Sequence, residues 1–337
     1  RSSDLDAPMT AVAPAADGHA IQDAIDALPA GGVVDLAPGV HRLVRPLRVH
    51  SGITLRGAGR EHTALTLVAG ADTHVMVNRD PHEGNEAIAL RHLTIDGNRP
   101  EQSLPPKGTF VFAFGVWFRK VRGLVLEDVG ARQVRQNGVQ LNDCSDVTIH
   151  GLAATDMGWS GLGATRTTGL EARDLTVRRA GLDTTHSGIH LDGAVDVHLD
   201  GLAHDCTGNA LMVDSVAGEV RRVTLRGDGR RSAYGLAVVA GDEHPLEDVD
   251  VTGTFAHNRS GGVLVSNATR VSIRGATITD NEVAGVRLQG RTGCRACAVT
   301  DSAIWGSPET VVETGGTAGT TVTGIRTSRA PDVGATW

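Results

Sequence analysis

The residues best suited by type and spacing to do chemistry lie between positions 186 and 214. His186-Ser-Gly-Ile-His190-Leu-Asp192 carries two imidazoles and a carboxylate, and Asp214 follows 22 residues after Asp192. An alternating strand sends His190 and Asp192 to the same face. A strand carrying Asp214 in register beside it would bring the two carboxylates to about 4.8 Å strand spacing. Two carboxylates at that separation do not both ionise freely. One takes a raised pKa and can act as an acid, or the pair binds a cation such as Ca2+. His190 titrates near neutrality and is the expected base, with His186 as the alternative.

A wider set of residues could hold a substrate around that cluster. Arg119 or Lys120 can receive a substrate carboxylate, and Gln140, Asn142, Asn209 and Arg287 offer further polar contacts. Trp117, Trp159 and Tyr234 can form a stacking wall for sugar rings, and Tyr234 can also supply the second acid or base on the opposite face. A single Asp, His or Asn on a solvated sheet needs no function, so the expectation rests on the cluster.

Such scattered positions converge only if the chain repeats, and it does. A small residue followed by an alternating apolar strand recurs at Gly115, Gly138, Gly161, Gly188, Ala210, Gly235, Gly262 and Gly285, in steps of 23, 23, 27, 22, 25, 27 and 23 residues. A second strand follows each one, such as Asp146-Val-Thr-Ile or Arg270-Val-Ser-Ile, and a third short strand completes the unit. That period, with three short strands in it, describes one coil of a solenoid whose inward residues are buried only by stacking. The period is too short for a propeller blade, and a leucine-rich pattern is missing. Two columns should then run up the outer face of the first strands. One is Trp117, Gln140, Gly163, His190, Met212, Ala237, Leu264 and Arg287. The other is Arg119, Asn142, Thr165, Asp192, Asp214, Val239, Ser266 and Gln289.

Composition agrees and narrows the partners. The chain has 337 residues, 43 of them Gly, with 3% aromatics and a formal net charge of -7. It has no apolar run of bilayer-spanning length and no basic cluster, so neither a membrane nor a nucleic acid is expected. A carbohydrate or a small molecule is. The cysteines Cys144, Cys206, Cys294 and Cys297 form no dense framework, and Cys294-Arg-Ala-Cys297 lacks the second half of a zinc site, so buried thiols are expected. Residues 1–16 read as a disordered lead-in and 17–337 as one domain. A secreted protein whose leader was removed is favoured over a cytoplasmic one.

The N-terminal part resembles the pectate-lyase-like superfamily of carbohydrate-active lyases, epimerases and hydrolases. Asp17 can cap a short helix with Ile21, Ala24, Ile25 and Leu28 on one stripe, closing the end of the column. Gly31-Gly-Val-Val-Asp-Leu-Ala-Pro-Gly and then His50-Ser-Gly-Ile-Thr-Leu-Arg-Gly-Ala-Gly-Arg60 look like the first two coils of such enzymes, and with the repeats the resemblance covers about residues 17–306. It implies an all-β, right-handed parallel β-helix of about ten coils with an N-terminal capping helix. Asp80-Pro-His-Glu83 resembles the signature of alginate C5-epimerases, but it lies ahead of the repeats with no Tyr nearby. The family's central-coil position corresponds here to Gly188-Ile-His190-Leu-Asp192-Gly193. The polygalacturonase carboxylates do not carry over.

Four functions follow. The first is proton abstraction on a uronate-containing glycan, as a lyase or C5-epimerase. The second is a glycosidase or transglycosidase using Asp192 and Asp214, for which close carboxylates imply retention. The third is a small-molecule cyclase or isomerase, and the fourth a non-catalytic glycan-binding β-helix. The loop from Arg99 to Phe114 is the expected lid.

Overall fold

The period and the alternation have a direct structural counterpart. In the computed structural model, which describes residues 8–13, 17–103 and 113–328, the chain winds as a parallel β-helix. One sheet contains eleven strands, one per coil, running from Leu47–Val49 to Glu309–Glu313. The coil number is therefore slightly above the expected ten. A second, nineteen-stranded sheet gathers the remaining legs of the coils, and every pairing between strands is parallel.

The recurrent glycine is explained by crowding. A Cβ on Gly115 would lie 2.4 Å from the carbonyl oxygen of Gly138, and one on Gly262 would lie 2.6 Å from that of Gly285. The backbone of the next coil passes where a side chain would stand, so each coil begins its first strand with a small residue. Alternation then fills the column: Val139 and Leu141 are fully buried in the core, while His190 and Asp192 face out and are half-buried. Both outward columns run in unbroken register from strand Val116–Arg119 to strand Ala284–Gln289.

At the corners many coils place a non-glycine residue at positive φ, and stacked corners carry opposite charges. Arg179 chelates Asp156 from the coil before, and Arg231 does the same to Asp205. At another corner Arg222 pairs with Asp196, and Arg270 with Asp248. Inside the corner that carries Arg179 and Arg231 a polar ladder satisfies the buried backbone. Ser232 N–H donates to Asn258 Oδ1 at 3.0 Å, and Asn258 Nδ2 donates to Asn281 Oδ1 and to the Gly229 carbonyl.

The helix Gly18–Asp26 closes the N-terminal end. Asp17 Oδ1 accepts from the N–H groups of His19 and Ala20, and Ile21, Ala24 and Ile25 face the column. Two expectations need correction. Met9–Val12, inside the segment read as disordered, forms a strand paired with Val33–Leu36, because its alternating residues extend the free edge of that strand. The second and third strands are also fused in several coils, as in Thr168–Arg178 and Val220–Arg230, since the backbone bends there without leaving the ladder. The four cysteines are free and buried, and burial pushes the Cys144 thiol up to about 11. The thiols of Cys294 and Cys297 donate to carbonyls of the preceding coil, Val265 and Ala268.

The ladder yields a stability test. Asn258→Ala leaves the Ser232 N–H and the Gly229 carbonyl buried without partners, at a cost of about 1–3 kcal/mol. The urea midpoint should fall by that cost divided by the slope, with the slope unchanged; an unchanged midpoint would remove the ladder from the stabilising interactions.

Candidate active site

His190, Asp192 and Asp214 are assembled by register alone. His190 is paired with Met212, and Asp192 with Asp214, on adjacent strands. The imidazole leans along the stack, and His190 Nε2 lies 3.1 Å from both carboxylate oxygens of Asp214. Both groups are shielded, with 27% and 10% of their side-chain surfaces exposed. Burial alone would lower the His190 pKa, but the hydrogen bond and charge of Asp214, together with Asp192, outweigh it and raise the pKa above 6.5. With Nε2–H donated to Asp214, Nδ1 is the atom left to gain or lose a proton. Asp192 is raised as well, first by burial and then by the neighbouring Asp214 charge, although Ala217 N–H donates to its Oδ1 at 2.7 Å.

His186 takes the opposite course. Its ring stacks on Trp159 with centroids 4.5 Å apart, and burial and then the charge on His190 lower its pKa below 6.5. Two imidazoles on one cleft are thus pushed apart, one toward the neutral form and one toward the charged form. Trp159 meets Phe114 edge-on, and Phe114 stacks on His74, which stacks on Trp117. His74 accepts the Phe114 N–H at Nδ1, and burial drops its pKa to about 4, so it is a neutral aromatic plate.

These rings wall a cleft of about 410 Å³ that holds both His186 and His190. Its rim is basic. Asp143 lies between Arg166, which donates to it at 2.6 and 3.0 Å, and Arg119, at 3.5 Å. One carboxylate between two guanidinium groups leaves a positive charge facing the cleft. Gln140 and Asn142 also line it, but both are engaged: Asn142 accepts from Trp117 Nε1 at 2.9 Å, and Gln140 accepts from Asn137. A second cavity of about 570 Å³ adjoins the first on the N-terminal side and shares Trp117 with it.

Other expected residues stand apart. Tyr234 begins a strand two places beyond that of His190, and its ring covers Gly261. Asn209 accepts from the Tyr234 N–H and donates to the Met212 sulfur, which makes it a corner brace. Arg287 lies four strands from His190, 3.9 Å from Glu309. Lys120 reaches away from the cleft to the His82 carbonyl. The turn Asp80–Glu83 is held by Asp80, which caps the N–H groups of His82 and Glu83. Of the expected lid, residues 104–112 lie outside the described residues; at its ends Arg99 pairs with Asp183 and Phe114 lines the cleft. His74 and Arg166 are not among the residues singled out from sequence. His74 precedes the repeats, and Arg166 is a corner residue outside both outward columns.

Among the described residues no group of three or more His, Cys, Asp or Glu is arranged to hold a metal ion. Asp214 would have to exchange His190 for a cation. Among the described residues no helix is long and apolar enough to cross a membrane.

The sequence matches no protein-family model and no curated protein. Solved structures do match. The A-module of the mannuronan C-5 epimerase AlgE6 of Azotobacter vinelandii is 20% identical over 97% of this chain and 98% of its own, with a TM-score of 0.73. The family 28 exopolygalacturonase of Yersinia enterocolitica is 11% identical over 97% of this chain and 75% of its own, with a TM-score of 0.70. Gene product 12 of bacteriophage phi29 is 14% identical over 91% of this chain and half of its own, with a TM-score of 0.66. The fold is therefore the right-handed parallel β-helix of the pectate-lyase-like type.

The His190–Asp214 pair can be tested directly. Asp214→Asn removes the charge that holds the imidazolium and leaves burial in place. The His190 titration followed by NMR should move from above 6.5 to below it; an unmoved titration would dissolve the pair.

Proposed function

We propose that this chain is a carbohydrate-active enzyme that abstracts a proton from a uronate-containing glycan, as a lyase or a C5-epimerase. The observation that carries the reading is the pair of imidazoles with opposite pKa shifts on one cleft beside a positive rim. Groups driven apart in this way divide into base and acid at one pH.

In this reading the substrate carboxylate lies against Arg119 and Arg166, which neutralise it and stabilise the negative charge that develops when the adjacent carbon loses its proton. His186, kept neutral by burial, takes that proton. His190, kept charged by Asp214, is the donor through Nδ1. Return of a proton to the opposite face of the same carbon inverts it, whereas proton transfer to the departing 4-oxygen cleaves the chain. His190 thus has the role expected of Tyr234. Asp214 is a positioning residue, and Trp117, Phe114 and Trp159 offer flat apolar surface for sugar rings. The neighbours that act on glycans support a carbohydrate substrate by analogy of fold. A glycosidase using Asp192 and Asp214 is less well supported, because both Asp214 oxygens face His190.

The test is deuterium uptake from heavy water by a panel of uronate polymers. Deuterium next to the carboxylate without ultraviolet absorbance marks an epimerase; ultraviolet absorbance of an unsaturated product, whose carbon next to the carboxylate has lost its hydrogen, marks a lyase. New reducing ends without deuterium or unsaturation would overturn the reading in favour of a hydrolase. His186→Ala and His190→Ala should each lower turnover by about 100-fold or more. The pH profile should be a bell, because the base must be neutral and the acid charged. Activity rises with pH through the His186 pKa below 6.5 and falls through the His190 pKa above 6.5.

A further inference from the structure

We infer that the glycan lies on one side of the histidines only, running from the cleft toward the helix-capped end as an anionic chain. The inference rests on the uronate reading above and adds a direction and a charge requirement.

The cleft and its neighbouring cavity form one path. Trp117 lines both, and His74, from the second cavity, stacks on Trp117 and Phe114 of the first. In register, the outward positions run Arg48, Val77, Trp117, Gln140, Gly163, His190. Those five steps between strands cover about 24 Å, enough for several sugar units. The far cavity is lined by Arg45, Arg48 and Arg79 against a single carboxylate, Asp26, which Arg79 engages. Arg45 and Arg48 are exposed. With Arg119 and Arg166 at the cleft, basic groups mark both ends of the path.

Beyond His190 the basic groups end. Asp192 lies on the His190 strand itself and Asp214 on the next, followed in the two columns by Met212, Ala237, Leu264 and Val239, Ser266. Arg259, in the turn ahead of that sheet, donates to the Thr207 carbonyl at 2.7 Å. The next cation in the columns is Arg287, which faces Glu309. Asp192, a His190–Asp214 pair of opposite charges and then an uncharged surface offer nothing to hold a chain with a negative charge on every unit, while the opposite direction attracts it.

The measurement is calorimetric titration of uronate oligomers, from disaccharide to hexasaccharide, in a His190→Ala background so that turnover is slow against the titration. Circular dichroism would verify that each variant is folded. Affinity should rise with length. Adding Arg45→Ala and Arg48→Ala should flatten that rise and weaken the hexasaccharide by roughly three- to tenfold, as for the loss of two exposed ion pairs, leaving the disaccharide unchanged. Arg287→Ala should change neither. An equal loss in Arg287→Ala, or an unchanged hexasaccharide in the double variant, would overturn the one-sided course. If the pattern holds while wild-type protein yields neither deuterium incorporation nor an unsaturated product, the path stands and the reaction proposed above falls. Failure of every uronate oligomer to bind would remove both.

Discussion

A parallel β-helix stands or falls on its corners. Each coil must leave one sheet and enter the next at the same place as the coil before, or the ladder on both sides loses register. At those corners the chain repeatedly adopts positive φ, where a side chain normally strains against its own backbone. Asp and Asn tolerate that region best, and they occupy many of the corners, as at Asp143, Asp156, Asp205 and Asn267. The arginines that share these positions gain a compensating partner: Arg166, Arg179 and Arg231 each grip the aspartate one coil below. Local strain and long-range stacking are thus settled by the same residues.

The site inherits its geometry from that register. No loop has to bring His190 to Asp214, because once the coils stack in register, a residue two places into one strand is a fixed distance from its counterpart on the next. The chemistry comes from small departures from that lattice. His190 leans toward the following coil, His186 lies flat on Trp159, and Asp143 is shared between Arg119 and Arg166. Pre-organisation of this kind leaves little to be rearranged when a substrate arrives.

What the sequence made legible follows the same division. The coil period, both outward columns and the proximity of Asp192 to Asp214 could be read from alternation and the recurrent small residue, since these obey the lattice. Partner choice could not. Period two places His190 on the outer face but does not say whether it leans forward to Asp214 or back over Gly163. Corner residues escape alternation altogether, which is why Arg166 went unrecognised and why Tyr234, where the chain passes from a corner into its strand, was expected at a cleft it does not line. His74 and Phe114 lie in the irregular coils before the repeats, where no column could be drawn through them, and only the fold brings them against Trp117. The lead-in strand Met9–Val12 was masked by its brevity and by the prolines close to either end, Pro8 and Pro14.

The charged corners also impose a parity on the coils. Asp156, Arg179, Asp205 and Arg231 succeed one another one coil at a time, so signs alternate up the stack. Excision of the single coil that supplies Arg179 would set Asp156 beneath Asp205, carboxylate on carboxylate at strand spacing. Excision of two adjacent coils would restore an aspartate beneath an arginine. Although each coil is built alike, in this stretch the natural unit of gain or loss is the pair, and the molecule can lengthen or shorten there most easily by even numbers.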